Sequence, residues 1–110
     1  MTLITDLDTW VAGLATATGL PATRDPDLVN PPCLFVSLPD TVGRTLPSVQ
    51  LEVPVYLVAA GAGKQAGDQL LSYLVGVLEA VPAKSASAET LTVSGVEFHA
   101  YRIPAQLIIT

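Results

Sequence analysis

At 110 residues and 11.4 kDa, the chain is long enough for one hydrophobic core and too short for two. Half of the residues are hydrophobic and only 14% are charged, against roughly 25% in an average soluble domain; either an unusual share of the chain is interior or part of its outer surface is covered by another protein. Five Lys plus Arg against ten Asp plus Glu argue against the cationic footprint that nucleic-acid affinity needs, and a single cysteine excludes an internal disulfide and a multi-thiolate zinc site.

Leu3, Leu7, Val11 and Leu14, with Trp10 alongside, recur at steps of three and four and predict a helix over residues 5–18. Thr5 is the expected cap, Asp6 and Asp8 suit the positive end of the helix dipole, and Gly19 followed by Pro21 ends the helix. Residues 1–8 carry no base ahead of their apolar positions and are too polar for a signal peptide, so a cytosolic product is expected. The proline-rich stretch 20–32, with Asp25, Asp27 and Asn30, predicts a connecting loop. Residues 33–38 are apolar and fenced by Pro31, Pro32 and Pro39, which predicts a strand buried on both faces.

Turn formers around Arg44 predict a projecting hairpin-like loop over 40–47. The clearest strand is 48–59, where Val49, Leu51, Val53, Val55 and Leu57 alternate with Gln50, Glu52, Pro54, Tyr56 and Val58. Because proline cannot donate to a ladder, Pro54 predicts an edge strand or a bulge. The charge-free run from Val53 to Gly63 is far shorter than the ~20 residues of a spanning helix, so no membrane span is expected. Gly61 and Gly63 break the chain before a second helix, 64–80, whose buried stripe is Ala66, Leu70, Leu74, Val77, Leu78 and Val81. Lys64, Gln65, Asp68, Gln69 and Ser72 form its wet face. An Ala/Ser linker over 82–89 leads to a hairpin, 90–94 and 96–103, about Gly95; Pro104 then interrupts before a further strand candidate at 105–109. The order α-β-β-α-β-β, with an optional last strand, predicts an α/β (α+β) domain in which two helices pack on a single mixed sheet.

Candidate chemistry is sparse. Gly61, Gly63 and Lys64 follow a strand and open a helix as in a phosphate-binding loop, but Val58 stands where that motif needs glycine and Gln65 where it needs Ser or Thr. Cys33 and His99 could form a nucleophilic pair, yet no signature surrounds either; a buried thiol and an ordinary hairpin histidine are the simpler reading. Asp6 with Asp8, and Asp25 with Asp27, lack the further oxygen ligands of a cation site and suit a helix end and a turn. Trp10 and Tyr73 fit either core edges or partner contacts. No catalytic residue, cofactor or metal is expected.

The N-terminal helix, the proline-rich stretch into PPCLFVSLPD (31–40), the alternating strand SVQLEVPVYLVAAG (48–61), the helix DQLLSYLVGVLEAV (68–81) and the closing hairpin LTVSGVEFHAYRI (91–103) together span nearly the whole chain. This arrangement resembles the tail terminator, or tail completion, proteins of long-tailed bacteriophages, the minor tail protein U-like family. The resemblance implies a non-enzymatic virion protein, assembled in the host cytoplasm and located at the tail-neck junction. It implies a homo-oligomeric ring, a hexamer, that caps the tail tube, stops its polymerisation and joins tail to head. Its partners would be the major tail tube protein and a head-completion or stopper protein, with DNA only as cargo passing through the channel. The interface is expected on the 40–47 loop and the 105–110 segment, at Arg44, Thr45, Leu46, Gln106 and Ile108. Another head-tail connector (neck) protein is the nearest alternative. A small ligand-binding α/β module, with a pocket near Trp10, Tyr73 and His99, is a second, and a hydrolase using Cys33 a third.

Overall fold

A computed structural model describes residues 3–38, 41–45, 48–60, 63–81, 85–93 and 95–109. The elements are α1 (Leu3–Thr18), β1 (Ala22–Thr23), a 3-10 turn (Pro26–Leu28), β2 (Cys33–Val36), β3 (Thr41–Thr45), β4 (Ser48–Val58), α2 (Gly63–Ala80), β5 (Ser87–Val93) and β6 (Val96–Ile109). They build the predicted α+β architecture, two helices on one mixed sheet in the order β1-β2-β4-β6-β5, with β3 paired to β4 beyond the end of β2. β1 runs parallel to β2 and every other pairing is antiparallel.

Side-chain period places the core. Leu7, Val11 and Leu14 of α1 and Ala66, Leu70 and Val77 of α2 meet Leu51, Val53, Val55 and Leu57 of β4, together with Leu34, Val36, Ile103 and Ala105, in one cluster on a single sheet face. Val53, Val55 and Ile103 are wholly excluded from solvent. At the end of α1, Gly19 turns left-handed at φ 73°, and its N–H donates to the Ala15 carbonyl at 3.0 Å. This satisfies a carbonyl that the helix end would otherwise leave open. The helix begins two residues earlier than its cap signal suggested, so Thr5 lies inside its first turn and not at the cap.

Five other expectations are corrected. Residues 41–45 are a strand and not a projecting loop, because β4 extends beyond β2 and leaves a ladder edge that β3 fills, from Thr41 opposite Glu52 to Thr45 opposite Ser48. The two ends of the 82–89 and 33–38 assignments also move: β5 already begins at Ser87, and β2 ends at Val36, leaving Leu38 80% exposed. Pro54 does not mark an edge or a bulge, for β4 has neighbours on both sides. Pro104 does not interrupt, and β6 runs through it for 14 residues.

The two prolines are tolerated for one shared reason. They face each other across the β4–β6 ladder, and the Pro54 carbonyl accepts the Ser37 N–H at 3.1 Å, so its main-chain polar groups point away from β6. In an antiparallel sheet the opposed residue then points away as well. Pro54 looks into the gap between β2, whose pairing ends at Val55, and β3, whose pairing begins at Glu52. Pro104 looks past the end of β5, whose last partner on β6 is Arg102. Neither proline removes a donor that the β4–β6 ladder uses.

Candidate interaction surface

Both helices lie on one face of the sheet. On the other face Cys33, Val58 and Ala100 are buried beneath Phe35, Tyr56, Leu91, Phe98 and Val29, with the Phe35 and Tyr56 rings 6.4 Å apart and inclined at 32°. Larger, partly buried side chains pack against small buried ones here, a second apolar cluster that neither α1 nor α2 covers. Burial pushes the Cys33 thiol above its ordinary value, and a backbone hydrogen bond from Asn30 opposes this in part. A thiol held protonated is a poor nucleophile. His99 adjoins Ala100 on β6 and therefore faces the helix side, exposed and opposite Thr90. The sheet separates Cys33 from His99, and they do not form a pair.

The remaining polar candidates have structural partners. Lys64 and Asp68 form an exposed i,i+4 ion pair at 2.6 Å, and the Gln69 side chain accepts the Ala60 N–H at 2.7 Å, which ties α2 back to the end of β4. Asp8 accepts from Arg24 at 2.6 and 2.8 Å, linking α1 to the segment after β1, and Asp25 accepts the Asp27 N–H as the cap of the 3-10 turn. Among the described residues no three His, Cys, Asp or Glu gather as a metal site. Trp10 is half-buried against the main core, while Tyr73 faces outward on α2, 37% exposed. His99 lines a shallow depression of about 420 Å³ with Gly63, Gly67, Leu70 and Tyr101. Neither Trp10 nor Tyr73 lines this depression.

The sheet end at β3, β4 and the last part of β6 is different. There Gly43 pairs with Gln50, and Gln50 pairs on its other side with Ile108; Thr41 pairs with Glu52, and Glu52 with Gln106. Gly43, Gln50, Glu52, Gln106 and Ile108 line an open depression of about 460 Å³, and Ile108 is 63% exposed. The two chain segments expected at an interface thus flank the same half of β4. Arg44 and Thr45 take backbone positions on β3, opposite Val49 and Ser48; Leu46 lies outside the described residues. Gln50 and Glu52 were not foreseen as part of this surface, although the polar row alternating with the core row of β4 already carried them.

No helix among the described residues is long and apolar enough to cross a membrane. Comparison with known proteins finds no matching family model, no matching curated protein and no matching solved structure.

Proposed function

We propose that this chain is a virion assembly subunit, a tail terminator that closes into a ring on the tail tube, ends its growth and offers the surface to which the head is joined. The observation that carries the reading is the convergence of residues 41–45 and 105–109 on one end of the sheet, across β4. That end combines main-chain edges, an exposed isoleucine and few charges, the composition of a contact surface in place of a solvated one. A further apolar patch, Leu71 and Val75 on α2, is 57% and 66% exposed, in keeping with a subunit covered on more than one side. The net charge of −5 suits a conduit that must not hold passing DNA.

Light scattering tests the ring. Six 11.4 kDa subunits give roughly 68 kDa, the expected mass of a closed heterologous hexamer. Adding the protein to polymerising major tail tube protein should stop tube growth; tubes that lengthen regardless, or rings that engage only a head-side partner, would move it to another neck position. Arg44→Glu, which reverses the one charge on β3, is expected to weaken assembly and tube capping while the circular dichroism spectrum and unfolding midpoint stay unchanged.

A further inference from the structure

Beyond Arg102, the last residue of β6 that β5 reaches, no described strand lies on the outer side of β6. The orientation of Pro54 settles which groups look that way. Even-numbered residues of β4 address β2 and β3, odd-numbered residues address β6, and on β6 the even-numbered residues face outward. Pro104, with its carbonyl alone, and Gln106 and Ile108, with N–H and C=O both, are therefore presented to the outside. By the same parity Thr41, Gly43 and Thr45 pair inward with Glu52, Gln50 and Ser48, and β3 turns the main-chain groups of Val42 and Arg44 outward. Residues 103–109 of β6 contain no charged side chain, so of the residues that usually blunt an open edge only Pro104, near the start of this segment, is present.

We infer that the outer edge of β6, residues 103–109, pairs in parallel with β3 of a second copy of this chain. The direction follows from topology: β3 and β6 are each antiparallel to β4, hence parallel to each other. A copy rotated about a ring axis keeps that sense and sets β6 of one subunit beside β3 of the next. A two-fold partner would instead set β6 against β6, antiparallel, and the assembly would stop at a dimer with both β3 edges open. The molecule carries both halves of the first contact on opposite sides of one three-stranded end, which makes that contact heterologous and repeatable. Main-chain hydrogen bonds would hold it, as in other strand additions. The inference deepens the ring reading and rests on it for closure of the assembly.

Gln106→Pro tests the edge without touching the fold's own ladder, because the lost N–H points outward and Pro104 already occupies the same kind of position two residues earlier. Val42→Pro removes the matching donor on β3. Each variant alone is expected to fall from the assembled mass to 11.4 kDa, with wild-type circular dichroism. Mixed, they should form a one-to-one dimer that cannot extend, since each keeps the edge that the other lacks. If Gln106→Pro does not fold, Ile108→Lys on the same edge should reduce assembly, with salt partly restoring it. A wild-type mass for Gln106→Pro, a mixture that stays monomeric, or a wild-type chain that is monomeric at every concentration overturns the pairing. Rings lost in Gln106→Pro while wild-type rings fail to stop tube growth would overturn the terminator reading and leave the pairing standing. Rings kept in Gln106→Pro with tube growth stopped would do the reverse.

Discussion

β4 and β6 run side by side through two unlike environments. In the helix-backed half, Val53, Val55 and Ile103 are completely buried, with β2 on one side of the pair and the β5 hairpin close by on the other. Toward the other end, Gln50 and Gln106 are exposed and Ile108 is 63% accessible, with β3 on one side and no described strand on the other. Even there Leu51 and Ala105, on the helix face, stay buried in the main core, so the two strands hold the domain together along their helix face and present a surface only on the opposite face of this end. Stability and association are separable by sheet face as well as by position along a strand.

The largest expected effect breaks the buried half. Ile103→Ala deletes a wholly buried side chain from the main core and should cost about 2–5 kcal/mol of stability in urea unfolding, transfer and cavity terms together. Gly19→Ala addresses the hinge between α1 and the sheet; at φ 73° a Cβ meets no neighbour, so the cost is purely conformational, about 1 kcal/mol in the same measurement.

Cys33 sharpens the comparison through pH. Burial raises its folded value, so folding favours the protonated thiol; that contribution is complete below the unfolded thiol's ordinary range and declines as pH rises beyond it. Unfolding midpoints measured across the alkaline range should therefore fall more steeply for the wild type than for Cys33→Ala, and a parallel pair of curves would show that the thiol is not buried. The smallest effect belongs to the open end. Ile108→Ala, the same residue type five positions along β6 and therefore on the opposite face from Ile103, is expected to change stability by less than about 0.5 kcal/mol; a loss as large as that of Ile103→Ala would erase the distinction between the buried core face and the open end.

Much of the fold was legible because side-chain period is local. The three-and-four spacing in α1 and α2 and the alternation of β4 identify which residues face the core, and the buried Ala66, Leu70 and Val77 of α2 fall on the stripe read from the sequence. Gln106 and Ile108 entered as interface candidates through the family resemblance and not through periodicity; β6 leaves both exposed. Gln50 and Glu52 belong to the candidate surface only because β3 and β6 both pair with the first half of β4, and pairing partners leave no local trace. The prolines make the same point. Read alone, Pro54 and Pro104 argue for edges and interruptions, since each lacks a donor.

By itself, then, the amino-acid sequence determined the two helices, the period of the long strand, the α+β class and the shortage of charge. Tertiary structure decided that residues 41–45 form a strand, that Pro54 lies inside the sheet and that β6 continues through Pro104. The physical reason is one of range: periodicity is set by neighbours two to four residues away, whereas the direction in which a backbone donor points, and what awaits it there, is set by strands some fifty residues distant or more, such as β4 and β6 across the Pro54 and Pro104 pair.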